Sequence, residues 1–329
     1  MRIYWQNGII VENSNALAID CNNGNTSIIT HAHADHASFK TESPVLSSKE
    51  TLSLVETNYK KPKRAKALKF REKASIEGFD ISLHNAGHIL GSAQVLIENS
   101  ESIAITSDFK LQDSLILKGA EPLNCDTLVI ESTFGLAEYK FPERETLYEE
   151  FASWIKKQLA LNRFVVLAGY SIGKAQELTA FVNEYLGIAP IVHEKIYQNN
   201  KVYEKHKIKL GTYYKLDHNL NDSDILIIPP SLCNAHLLQA IGFSLNRKVA
   251  SAKATGWQYK SFFDRIFPLS DHADFNQLVE YVKLAEPKLV LTMHGFAKEF
   301  ASYVRRRLKI PARTLHKEEA QQLFLEEFD

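Results

Sequence analysis

Residues 29–37 read ITHAHADHA and place three histidines and an aspartate within six positions. The alanines between them are too small to anchor a core, so packing gives no reason for the run. A polar loop with a chance cluster is the plain alternative, but histidine and carboxylate are the side chains that bind transition metals. In an extended segment His31 and His33, two residues apart, point to the same side and can share one metal. Asp35 and His36 fall beyond that pair, where they can serve a neighbouring ion. The spacing differs from HExxH, in which two histidines sit one helical turn apart.

Three further segments repeat the arrangement. AGHILGSA (86–93) sets His88 between glycines after a strand-like run, SDF (107–109) closes the apolar run 103–106 with Asp108, and MHG (293–295) ends another strand with His294. Strand ends followed by tight turns are where sites are usually built. Taken singly, His88 reads as structural, Asp108 as a turn residue and His294 as ambiguous. Together with His31, His33, Asp35 and His36 they make seven ligand-type groups, the number that two adjacent metals sharing one bridging carboxylate would use.

Strand ends require strands. Short runs rich in β-branched residues recur at 8–12, 16–19, 26–30, 81–84, 94–97, 103–106 and 127–130, mostly bounded by Gly, Asn, Asp or Ser. A helical pattern covers 48–57. From Pro142 the texture changes to helix and strand in alternation (helices at 143–161, 174–186, 198–206 and 235–243; strands at 163–168, 190–193, 224–228 and 248–251), the signature of an α/β unit. A helix at 275–284, a strand at 288–292 and a helix near 298–308 close the chain. The expected division is 1–137, an α/β insert at 138–259, and a return to the first domain at 260–329.

Lysine plus arginine balance aspartate plus glutamate at 39 each, so no overall field draws the chain to nucleic acid or an anionic membrane, and a polyanion must be met by local patches. Lys60, Lys61, Lys63, Arg64, Lys66, Lys69, Arg71 and Lys73 form one such patch and Arg305 to Arg307 another; each reads either as solvated surface or as a phosphate track. Cys21, Cys125 and Cys233 lack CxxC spacing and fit buried small hydrophobes in a reducing cytosol. With neither a secretory pattern in MRIYWQNGIIVEN nor an apolar run long enough to span a bilayer, a cytoplasmic, unanchored protein is expected.

THAHADH, GHILGSA, SD and MHG, in that order, resemble the motifs of the metallo-β-lactamase fold. ESTFG (131–135), GYSIGKAQE (169–177) and SDH (270–272) resemble the hallmarks of the β-CASP nucleases, among them the cleavage and polyadenylation endonuclease, RNase J and Artemis-type enzymes. The resemblance implies an αββα sandwich with an inserted α/β β-CASP domain. It further implies two Zn2+, with Mn2+ allowed: His31, His33 and His88 on one, Asp35, His36 and His294 on the other, and Asp108 bridging. His272 would be the general acid, oriented by Glu131, and Asp35 belongs to the catalytic set as well as to the ligands. FGL (134–136), Tyr139, FP (141–142) and TGW (255–257) look most like ligase-associated DNA exonucleases, which implies DNA as substrate and a DNA ligase or helicase as partner. His294 departs from that branch, because the DNA-acting enzymes have an apolar residue there and the RNA-acting ones a histidine. An RNA-processing nuclease is therefore the alternative, and a small-molecule hydrolase of the same fold a remoter one. Lys174, at a helix start after GYSIG, together with Ser92 and Ser132, is expected to contact substrate.

Overall fold

The computed structural model describes residues 1–217 and 220–315, and the last part of the expected return, 316–329, lies outside the described residues. The chain forms two compact units, one built from 1–113, 118–140 and the segment from His272 onward, the other from 114–117 and 141–271.

The first unit contains two sheets. A six-stranded sheet runs in chain order through Arg2–Trp5, Ile9–Glu12, Ala16–Ile19, Thr26–Ile28, Pro44–Ser47 and Arg64–Ala67. A seven-stranded sheet has the order Ala312–Thr314, Leu289–Met293, Thr127–Glu131, Ser102–Ile105, Ala93–Glu98, Phe79–Asn85, Lys73–Ile76. Side chains alternate across a strand, and the sequence uses both faces of the larger sheet. Ile103, Ile105, Val129 and Leu291 join Ile9, Val11, Leu17 and Ile28 in a core between the sheets. Their neighbours Ala104, Leu128, Ile130 and Val290 pack instead against Leu278, Val282 and Phe300 of the helices Phe275–Ala285 and Ala297–Tyr303. Two buried faces explain why these strands read as continuous apolar runs. Helix Lys49–Asn58 begins where the Ser48 hydroxyl accepts the Thr51 amide, and Phe275–Ala285 where the Asp274 carboxylate accepts that of Gln277, both ordinary N-caps.

The second unit holds an all-parallel six-stranded sheet in the order Tyr214–Lys215, Ile191–Val192, Ile225–Ile228, Phe164–Ala168, Val249–Ala254, Arg265–Phe267. Helices Arg144–Ala160 and Lys174–Leu186 bury one face of it and Ala235–Leu245 the other. The insert therefore extends to Asp271 rather than to 259, because Arg265–Phe267 pairs with Val249–Ala254 before the chain returns. This is the metallo-β-lactamase fold with an inserted α/β domain, as expected. Cys21, Cys125 and Cys233 are free and buried. Among the described residues no helix is long and apolar enough to cross a membrane.

Candidate active site

The seven groups singled out by type lie in the first unit, at the ends of strands of both sheets. One ligand atom from each of His31, His33, His88 and Asp108 falls within 4.8 Å of the others, and His36, Asp108 and His294 form a second such group. Asp108 belongs to both. Its Oδ2 is 3.5 Å from Nε2 of His31, 3.5 Å from Nε2 of His36 and 3.8 Å from Nε2 of His88. Asp35 reaches His36 Nε2 at 3.5 Å. The backbone is shaped to deliver these groups: Asp20, Ser107 and His294 all take left-handed conformations that non-glycine residues seldom adopt, and such strain collects at functional sites. At Gly87 a Cβ would meet Lys110 O and the Ala120 amide at 2.9 Å, and at Gly91 it would meet Ser48 Oγ at 2.6 Å, so packing requires both glycines of the His88 turn.

The electrostatics suit a cation. Burial, reinforced by His36, His88, His33 and His272, pushes His31 well below its usual value, so its imidazole is neutral and can act as a ligand. His31 Nε2 is fully buried and has no hydrogen-bond partner, an orphan that a metal would satisfy. Burial also raises the Asp108 carboxyl to about 7, although His36 and His272 oppose the rise. Burial works against charge on His36 as well, but Asp108, Asp20 and Asp35 together lift it to about 10. Three carboxylates around one imidazole is a site that a divalent cation would neutralise.

Asp20 went unnoticed in the sequence. Its carboxylate accepts the Thr30 amide at 2.8 Å and the Thr30 hydroxyl at 2.6 Å, and its Oδ2 lies 2.7 Å from His36 Nδ1. That contact fixes the ring so that Nε2 faces Asp108. The signal was available, since Asp20 ends the apolar strand Ala16–Ile19 just as Asp108 ends Ser102–Ile105.

Beside the cluster stands a second pair. His272 Nδ1 lies 3.1 and 3.0 Å from the two carboxylate oxygens of Glu131. Glu131 is completely buried, and burial alone would raise its pKa; the charge and hydrogen bond of His272, the Thr133 hydroxyl and the Phe109 amide hold it below the usual carboxylate range. The Phe109 amide that donates to Glu131 at 2.8 Å follows Asp108 directly, so one carboxylate braces both the imidazole and the shared ligand. The His272 ring is 4.6 Å from that of His88.

Of the three expected substrate contacts, two are used otherwise and the third is buried. Lys174 is buried in the second unit, its Nζ 2.6 Å from Glu177 and 2.8 Å from Asp271, while the Gly173 amide is taken by the Gln176 side chain. Neither the charge nor the helix start is offered to a phosphate. Ser92 Oγ accepts the amides of His88 and Ile89 at 3.1 and 3.2 Å and shapes the turn. Ser132 Oγ is buried with no hydrogen-bond partner and faces no solvent.

Such a site has the donor set that a metal-dependent hydrolase requires. Residues 266–315, which carry both His272 and His294, match the RMMBL family, a Zn-dependent metallo-hydrolase RNA specificity domain. The chain is 32% identical over 293 residues to a probable DNA ligase of Opitutus terrae, covering 85% of this chain but 28% of that one, so it spans under a third of that relative's length. It is 25% identical over 359 residues to an RNase J-like protein of Methanocaldococcus jannaschii, covering 86% and 85% of the two chains. A crystal structure of a protein of unknown function from Enterococcus faecalis matches with a TM-score of 0.57 at 14% identity, over 83% of this chain and 76% of that one, and shares the fold. These likenesses support the metallo-β-lactamase β-CASP nucleases as the chain's family. The DNA preference expected from the sequence is not what these likenesses favour; the RNA alternative fits them better.

Proposed function

We propose that the protein is a two-zinc phosphodiesterase of the cytoplasm that cleaves RNA. His31, His33 and His88 would hold one cation and Asp35, His36 and His294 the other, with Asp108 shared. When bound, the cations supply Lewis-acid charge that activates water and offsets the negative charge growing on the phosphodiester. Glu131 holds Nδ1 of His272, so proton delivery to the departing oxygen runs from Nε2, and the buried carboxylate keeps the imidazole oriented. Asp20 keeps His36 turned so that Nε2 is the ligand atom. The observation that carries the reading is the membership of Asp108 in two ligand groups with the Glu131–His272 pair alongside. His294 within the second group, in a segment that matches an RNA specificity domain, supports RNA. The Opitutus relative makes DNA the second reading.

Matched, end-labelled single-stranded RNA and DNA, incubated with the zinc- or manganese-loaded protein and its His272→Ala variant, test it. RNA should be cut in preference, and the variant should lose ~10²–10⁴-fold in rate. Preferential DNA cleavage would overturn the substrate assignment. Cleavage of neither by a zinc-loaded protein would overturn the nuclease reading.

A further inference from the structure

The chain is neutral overall, yet eight cations crowd its positions 60–73. The structure divides them. Lys61, Lys63, Arg71 and Lys73 pair with Glu56, Glu42, Glu121 and Glu98. Lys60, Arg64, Lys66 and Lys69 are exposed, and among the described residues no carboxylate lies within ion-pair reach of any of them. Arg64 and Lys66 belong to Arg64–Ala67, the outermost strand of the six-stranded sheet, every residue of which is exposed. Being two apart they share one face, about 6.6 Å from each other along the strand. Two exposed aromatic side chains bracket the stretch, Tyr59 at 38% and Phe70 at 39%.

We propose that this edge, from Tyr59 to Phe70, is a track for a single-stranded polynucleotide, the cations following its phosphates and the two rings stacking its bases. The track rests on the nuclease reading for what it feeds. Cations interleaved with stacking aromatics are the combination that holds single strands without reading their sequence. The segment is also strutted to the site at both ends. The Tyr59 hydroxyl donates to the Ala32 carbonyl at 3.1 Å, between His31 and His33. The Leu68 amide donates to the Ser47 carbonyl at 2.9 Å, next to Ser48, whose hydroxyl donates to Gly91 of the His88 turn at 2.7 Å. Lysines on an edge strand also prevent sheet-to-sheet pairing. That role explains Arg64 and Lys66, but not Lys60 and Lys69 outside the strand, nor two exposed rings beside them.

The test compares the intact chain with a variant carrying Lys60→Gln, Arg64→Gln, Lys66→Gln and Lys69→Gln, both in a His272→Ala background so that bound oligonucleotide survives. Anisotropy of labelled single-stranded RNA and DNA is followed against salt. Each lost phosphate contact should flatten the slope of log K against log salt by about 0.7, hence by roughly 3 for the set. Phe70→Ala should weaken binding by about 5- to 100-fold with the slope unchanged, as loss of one stacked base would. Without the His272 substitution, the charge variant should cut a dinucleotide as fast as the parent and a long oligonucleotide more slowly. If removing the lysines makes the edge self-associate, the same four positions changed to Glu keep it charged and must abolish binding. An unaltered slope would overturn the track, as would an equal loss on the dinucleotide. A slope change in a protein that cuts nothing would leave the track standing and overturn the nuclease reading instead.

Discussion

Each unit of this chain buries a knot of ionisable side chains, and the two knots are finished differently. In the insert, Arg144, Lys174, Glu177 and Asp271 balance two positive charges with two negative ones. Arg144 donates to both Glu177 oxygens at 2.8 and 2.9 Å and to the Ser270 carbonyl at 3.0 Å, and Lys174 bridges Glu177 and Asp271. Nothing is left over for a ligand. In the metallo-β-lactamase unit, Asp108 is lifted to about 7 and His31 Nε2 has no hydrogen-bond partner, so that knot is incomplete without a cation. A burial map alone would rank the two alike. Whether the charges close on themselves separates a structural cluster from a chemical one.

The largest expected effect comes from unbalancing the incomplete knot. Asp108→Asn removes the ligand common to both groups and should cut nuclease activity by more than about 10³-fold, with bound zinc falling when metal content is measured. A full zinc complement in that variant would break the contrast. Next, Glu131→Gln should lower kcat by ~10²–10³-fold while zinc content stays as in the parent, since Glu131 acts through His272 and not on the metals. Asp20→Asn should weaken zinc affinity by about 10- to 100-fold in a chelator competition, because His36 loses the anion that orients it. The closed knot should respond in stability instead. Lys174→Met leaves Arg144 alone against Glu177 and Asp271, one buried negative charge uncompensated, and should cost about 3–5 kcal/mol in denaturant unfolding, with the specific activity of the folded fraction unchanged. Loss of activity at unchanged stability would restore Lys174 as a substrate contact. The smallest effect concerns the thiols: burial pushes Cys125 and Cys233 up to about 12, so neither should react with iodoacetamide at neutral pH until the protein is unfolded.

Much of this was legible in the sequence, for physical reasons. Strands such as Thr127–Glu131 and Phe164–Ala168 are apolar on both faces, and helices such as Phe275–Ala285 carry a 3.6-residue apolar repeat. Among the missed strands, Arg64–Ala67 is an exposed edge and Lys73–Ile76 a half-buried one, Tyr214–Lys215 has two residues, and Arg2–Trp5, Pro44–Ser47 and Ala312–Thr314 have only three or four, too few for a periodic pattern to show. Arg265–Phe267, three residues long, moved the end of the insert for the same reason. The His and Asp groups stood out because no packing rule accounts for them. Asp20 did not, since an aspartate after a strand is commonplace until His36 is seen against it. Lys174 was misread because the carboxylate that completes its pairing, Asp271, lies 97 residues further on.

The order of strands in the larger sheet has a consequence for synthesis. Leu289–Met293 lies between Thr127–Glu131 and Ala312–Thr314 and pairs with both, yet it is translated only after the whole insert. Until it emerges, Thr127–Glu131 has a bare edge on the growing chain, and Glu131 waits for a histidine 141 residues downstream. The insert, with its own core, can condense on the ribosome meanwhile. Residues 272–294 therefore bring in His272 and His294, and the two clusters they join are complete only once that stretch has left the exit tunnel.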